Sequence, residues 1–364
     1  MAKIKDITQY LEALAPITLQ ESYDNSGLLL GNSGTEVENT LVTLDVTEAV
    51  IDEAIAKKCQ LIVAHHPLIF GSLKSLTGKT DAERAIIKAL KNDIAVYAIH
   101  TNLDNVQEGV NAKIGAKLGI ESMHILQPKK SLLYKVVVFV PHSHGEVVRD
   151  ALFAGGAGNI GAYSECSYNL KGEGSFLPSE GTDPHVGEIG KRHYEEESRI
   201  ETICTKWQLP KVIAHMKEAH PYEEVAYDIY PLHNEYAHSG SGMLGMLPQK
   251  ITPQKWIEQV KHTFGGVVRY THLPKGSISK IAWCGGSGSF LLPQAMAQGA
   301  DAFLSSDFKY HQFFEAENEI IITDIGHYEN EQFTKELLYE KLTKNFSSFA
   351  VLLAETKTNP INYL

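Results

Sequence analysis

Short apolar runs alternate with amphipathic helical stripes through the first third of this chain, and that alternation leaves few folds open. Thr40 to Val46, Leu61 to Ala64 and Ile94 to Ile99 each suit one buried strand. Between them lie the helical stretches Glu48 to Lys58 and Asp81 to Lys91, the second preceded by Thr80 and carrying Glu83 three residues on, a capping-box signature. Ile4, Ile7, Leu11 and Leu14 form the stripe of an opening helix that Pro16 ends. Strand and helix in alternation imply parallel pairing with helices on the sheet faces. Such sheets gather ligands at the carboxyl ends of their strands.

The pattern changes near Leu132. A strand at Leu133 to Val140, a helix at Gly145 to Phe153 and a strand at Tyr163 to Leu170 precede a glycine-rich stretch ending near Gly190. A strand at Ser198 to Trp207, a helix at Pro210 to Ala219 and a strand at Glu224 to Pro231 complete the order βαββαβ of a ferredoxin-like unit. After Pro248 the α/β rhythm returns, with a helix at Pro253 to Phe264, strands at Ile278 to Cys284, Ala302 to Ser305 and Glu319 to Asp324, and a helix from about His327 to Leu342. The expected architecture is an α/β body, residues 1–128 and 248–364, interrupted by an inserted ferredoxin-like domain, 129–247. Polar stretches at 127–130 and 248–250 read as the linkers that flank it.

Charge narrows the partners. With 33 basic against 44 acidic residues the net charge is -11, which disfavours nucleic acid and anionic membranes. No run approaches the length of a membrane span and the N-terminus lacks a signal-peptide core, so the expected location is the cytoplasm. Cys59, Cys166, Cys204 and Cys284 are widely separated and read as reduced thiols.

Three strand ends carry metal-capable side chains. His65 and His66 follow Leu61 to Ala64; His100 and Asp104 follow Val96 to Ile99; His327 and Glu331 stand at i and i+4 where a helix leaves the strand before Gly326, so they share one face. Each alone has a plain alternative, a turn pair before Pro67, a cap at Asp104 or a surface i,i+4 contact. With His100 set aside because it still sits within its strand's pattern, they bring three imidazoles and two carboxylates to one edge, a mixed N/O set that suits zinc, manganese or iron(II) rather than calcium. Cys284-Gly-Gly-Ser-Gly-Ser289, between a strand and a helix, could cradle an anion or make a tight turn. Asp307 and His311 are candidate substrate contacts, and His220 and His238 in the insert lack spaced partners. Glu329, His100 and His311 are the candidate acid or base groups, although Glu329 points elsewhere on its helix than His327 and Glu331.

His65-His-Pro67, Thr101-Asn-Leu-Asp104 and Gly326-His-Tyr-Glu-Asn-Glu331, with Tyr23-Asp-Asn-Ser-Gly-Leu28, resemble the Nif-three-like family (Ngg-interacting factor three), whose members are often labelled GTP cyclohydrolase 1 type 2 homologs. The resemblance covers about 1–127 and 248–364. It implies two divalent metal ions per subunit held by His65, His66, Asp104, His327 and Glu331, a toroidal homohexamer, and Asp24 and Asn25 near the metals. It also makes the insert similar to a PII/CutA-like domain, with His220 to Glu224 and Gly240 to Gly245 belonging to it. Two expectations follow for function. One is a metal-dependent hydrolase, GTP cyclohydrolase-like, acting on a nucleotide-like or other small substrate. The other is a non-enzymatic metal-binding or ligand-sensing assembly whose insert binds effectors.

Overall fold

The computed structural model describes residues 2–364 and has a mixed α/β fold with several sheets. Two compact units divide the chain: one runs to Pro128 and resumes at Ala237, and the other is Lys129–Tyr236.

In the larger unit, four strands run parallel in the order Ala95–Ala98, Leu61–Ala64, Asn39–Thr43, Ala350–Leu353, and Gly27–Leu30 joins antiparallel at the edge. Leu61 to Ala64 are all fully buried, as a strand covered on both faces requires. Val50, Ile51 and Ala54 of helix Glu48–Ala56 pack with Ala85 and Ala89 of helix Asp81–Lys91 in the core cluster that also holds Ile62 and Val96. Each large apolar side chain buried there contributes about 1.5–3 kcal/mol. Thr80 caps its helix by accepting from the Glu83 amide at 3.2 Å. The Glu83 carboxylate turns instead to Thr77 and Lys79, so the capping box is half made.

A second sheet of the same unit has six strands, in the order Arg269–Tyr270, Ile321–Ile325, Ala302–Ser306, Ile278–Trp283, Glu235–Ile251, Glu121–Lys130. Its three middle α/β strands are parallel, Ile281 pairing with Ala302 and Ala302 with Ile321. Trp256 and Trp283 are fully buried, and their indole N–H groups donate to Thr323 Oγ1 at 3.0 Å and Asn111 O at 2.7 Å. The stretches expected as linkers are strand instead. Residues 127–130 end Glu121–Lys130 and residues 248–250 lie within Glu235–Ile251. These two pass so closely that a Cβ on Gly240 would fall 2.1 Å from Gln127 O. Pro128 is tolerated because its strand is the last in the sheet and needs no donor on its outer side.

The smaller unit pairs Ser167–Phe176, His193–Thr205, Leu133–Pro141 and Tyr227–Leu232, in that order and all antiparallel. Helices Gly145–Ala154 and Leu209–Ala219 supply Val148, Leu152, Val212 and Met216 to a core with Val136, Val138, Val140 and Ile200. Two strands lie away from their expected positions. Pairing from Ser167↔Thr202 to Phe176↔His193 continues across Glu195 to Glu197, which carry no apolar signal, and so begins earlier than Ser198. The final helix is also broken, into His327–Glu331 and Thr334–Asn345. Among the described residues no helix is long and apolar enough to cross a membrane, and the four cysteines are free.

Candidate metal centre

Backbone pairing fixes the HisHisPro turn before any side chain is considered. The amides of His65 and His66 donate to Thr43 O at 3.2 Å and Leu44 O at 2.9 Å, continuing the strand ladder to its last residue. Ile99 O takes the Nδ1 side of His65 at 2.9 Å, which puts the proton on Nδ1 and leaves Nε2 as a donor atom facing inward. His66 and His327 repeat this device with carboxylates: Nδ1 meets Asp45 Oδ1 at 2.7 Å in the first and Asp307 Oδ2 at 2.6 Å in the second. Their Nε2 atoms stand 2.9 Å and 3.0 Å from Glu331 Oε2. The other oxygen of Glu331 faces His65 Nε2 at 3.8 Å, and Asp104 Oδ1 is 3.7 Å from that same nitrogen.

Glu331 therefore stands between two donor groups, His65 with Asp104 and His66 with His327, each group within 4.8 Å across and able to hold a metal ion. His65 Nε2 and Asp104 Oδ1 are both buried and make no hydrogen bond. An unmet polar atom in the interior costs about 1–3 kcal/mol, so the donor set fits a cation that would satisfy both. Gly286 permits the approach from above: its φ is +62°, and a Cβ there would lie 2.4 Å from Glu331 Oε1.

The charges follow the same plan. Burial alone would lower His66, but the bonds to Asp45 and Glu331 outweigh it and hold the imidazole up at about 10. His327 is raised to about 11 against its own burial, by Asp307 and Glu331. His65 is pushed down by burial. Burial also opposes ionisation of Glu331, yet the surrounding imidazoles keep it well below the carboxylate range. Asp104 is raised by burial and by the nearby charge of Glu331. The cluster thus keeps protons where cations compete for the same lone pairs.

A cavity of about 300 Å³ opens over these groups, walled by His100, Tyr23, Phe70, Phe290 and the Cys284 to Ser287 turn. His100 lies with its ring centre 5.2 Å from those of both His65 and His66. Its Nδ1 meets Asp24 Oδ1 at 2.8 Å, while the other oxygen of Asp24 accepts from the Thr101 amide at 3.0 Å. Those bonds overcome partial burial and keep Asp24 far below its usual range. Two amides of the glycine turn are already engaged, Gly285 N by Asn111 Oδ1 and Gly288 N by Ser305 Oγ, which narrows the room for an anion cradle.

Two candidates, Glu329 and His311, stand elsewhere. Glu329 is buried but turned from the cluster, accepting from Asn359 Nδ2 at 2.9 Å and the Tyr363 hydroxyl at 3.4 Å. His311 is exposed on the 3-10 turn Tyr310–Ala316, its ring against Tyr310 and Phe314. Asp307 lies at the cluster itself, facing His327 and Ser287. In the smaller unit His220 binds Phe139 O at 2.9 Å, whereas His238, expected there too, lies in the larger unit, where its Nδ1 meets Gln107 Oε1 at 2.5 Å. Sequence reasoning missed Asp45 and Thr358, whose hydroxyl donates to Asp45 Oδ2 at 2.5 Å. A charge inside the apolar run Thr40 to Val46 was the available signal for the first; nothing local marked the second.

A family model described as Duf34/NIF3 (NGG1p interacting factor 3) matches residues 2–360. Proteins named GTP cyclohydrolase 1 type 2 homolog are 40% identical over the whole of both chains in Halalkalibacterium halodurans, and 40% identical over 99% of this chain and 98% of the relative in Bacillus subtilis. A Bacillus cereus crystal structure described as related to NIF3 superposes with a TM-score of 0.85 at 37% identity, covering 100% of this chain and 99% of the other. The chain belongs to the Duf34/NIF3 family.

Proposed function

We propose that this protein is a dinuclear metal-dependent hydrolase of a small, nucleotide-like substrate. His65 and Asp104 would hold one cation, His66 and His327 the other, and Glu331 would serve both. The observation that carries this reading is the pair of unsatisfied buried atoms, His65 Nε2 and Asp104 Oδ1, facing a carboxylate whose two oxygens address different imidazoles. Zinc, manganese or iron(II) held there would supply Lewis acidity toward a carbonyl, C=N or phosphoryl group.

The remaining chemistry falls to the chain itself. Asp24 fixes the His100 ring through Nδ1, so His100 turns its other nitrogen toward the cavity as the group best placed to move a proton. Tyr23 and Phe70, their ring centres 6.4 Å apart, offer flat apolar surface at the mouth. The cyclohydrolase wording in the names of the relatives is consistent with a heterocyclic substrate.

The same proposal includes the domain division at 129–247 with a ferredoxin-like, PII/CutA-like insert, supported by the strand order of the smaller unit. It also includes a homohexameric ring in the cytoplasm. A ligand-sensing assembly without turnover is the second reading, favoured by a larger cavity within the insert. Metal analysis of anaerobically purified protein, followed by a hydrolysis screen with His65→Ala as control, separates the two. Two divalent ions per chain and turnover that disappears in the variant are expected. Turnover equal in the variant would remove the metal site from the chemistry.

A further inference from the structure

A cavity of about 720 Å³ lies wholly within the smaller unit and has a lining unlike that of the candidate metal centre. Its volume falls in the range of about 300–1,000 Å³ typical of small-molecule sites. The floor is the sheet face opposite the two helices. Leu170 stands beside Arg199 and Arg199 beside Phe139 on one rung, and Gly172 stands beside Glu197 on another. Pro178, Thr182, Pro184 and His185 of the segment after Phe176 form part of the remaining wall, with Tyr222.

Two glycines shape that floor. A Cβ on Gly174 would come 2.2 Å from Glu197 Oε2, so the carboxylate lies across this bare backbone. A Cβ on Gly172 would meet nothing within 4 Å, so its missing side chain is open space on the cavity side. Flat bare backbone next to Phe139 and Phe176 suits a flat apolar body.

The polar groups are few; the Arg199 guanidinium pairs through Nη2 with Glu201 at 2.9 Å, and two other polar atoms are left unmet. Arg199 Nε and the Tyr222 hydroxyl are shut off from solvent and reach no hydrogen-bond partner. Burial holds Glu197 above the ordinary carboxylate range, against the nearby Tyr222 hydroxyl, which pulls the other way, and Glu195 adds to the rise. Two unmet donors beside one acceptor call for a ligand with an acceptor and a donor side by side. The formal charge of the wall excludes an anion: Glu173, Glu197, Glu223 and Glu224 outnumber Lys171 and Arg199.

We infer that this cavity binds a planar, uncharged heteroaromatic ligand bearing a ring carbonyl next to a ring N–H, the lactam edge of a guanine-type base. The carbonyl accepts from Arg199 and Tyr222, the ring N–H donates to Glu197, and the ring plane lies over Gly172 and Gly174. A free base or nucleoside meets these terms, whereas a nucleotide brings phosphate against four carboxylates. The site is independent of the metal centre and of the hydrolase reading.

Calorimetric titration of the full chain with guanosine, and with adenosine as the ring lacking the lactam edge, tests this. Saturable guanosine binding with a Kd below about 1 mM is expected, at least about tenfold tighter than adenosine, the cost of about one unmet buried hydrogen-bonding group. Gly172→Leu fills the open space and abolishes binding; Glu197→Gln and Arg199→Met each weaken it by about tenfold or more and serve as the test if the leucine variant misfolds by circular dichroism. His65→Ala leaves it unchanged. No saturable guanosine binding, equal affinity for adenosine, binding that survives all three insert variants, or binding lost in His65→Ala would each overturn the assignment.

Discussion

The two cavities of this molecule handle polar atoms in opposite ways. Around the metal centre, the outer nitrogen of His65, His66 and His327 already meets an oxygen, from Ile99, Asp45 and Asp307 respectively, so each ring is aimed before anything binds. In the smaller unit Arg199 is braced through Nη2 by Glu201, while its Nε and the Tyr222 hydroxyl stand without hydrogen-bond partners. A site for ions, which demands fixed distances, is built by orienting every ligand from behind. A site for a flat organic molecule needs shape first, and two glycines with a few side groups supply it.

The largest effect that sharpens this contrast is expected for Glu331→Ala. Removing the carboxylate shared by both donor groups should take bound metal from two ions per chain to near none, read by elemental analysis, with guanosine binding in the insert intact. Retention of both ions would break the comparison. Next comes Ile200→Ala, which empties part of the insert core and should cost about 2–5 kcal/mol. Calorimetry should show one unfolding transition moving down while metal content stays the same; a shift of all transitions together would argue against separately folding units.

A smaller effect is expected for Asp45→Asn, which leaves the ligands in place and loosens the aim of His66. Chelator competition should report metal affinity lower by about 10–100-fold, the usual consequence of losing an outer partner. The smallest concerns acid. Burial works to raise Glu53, but bonds from the Glu355 amide, Lys57 and Thr356 outweigh it and hold it at about 2 instead of 4.5. Its folded value is depressed, so its contribution is complete above pH 4.5 and fades as pH falls toward 2. Hydrogen exchange at the Glu355 and Thr356 amides should quicken over that window in the native chain and lose its pH step in Glu53→Gln.

Much of the candidate metal centre was legible because the side chains that meet there follow apolar runs, where short-range pattern and position coincide. His65 and His66 follow Leu61–Ala64, and His327 follows Ile321–Ile325. The helical spacing of His327 and Glu331 needed only one turn of backbone to become a shared face. What stayed hidden depended on contacts between distant segments. Glu329 is two residues from a ligand, yet its role is decided by Asn359 and Tyr363, about thirty residues further on. The chain crossings into the insert looked like linkers because their residues are polar, and they are strand because the neighbouring backbone, not the side chains, supplies the pairing. The break after Glu331 left no Pro or Gly to announce it.

Thr358 braces Asp45, Asp45 braces His66, and His66 meets Glu331. The supports of one imidazole are thus drawn from positions more than three hundred residues apart, with the latest of them near the far end of the chain. The segment up to Pro128 carries His65 and His66 side by side, and the segment from Ala237 carries Glu331 and Thr358. A cation held by His66 in this arrangement would therefore depend on both segments of the larger unit, since His66 and Asp45 meet Glu331 and Thr358 only across them.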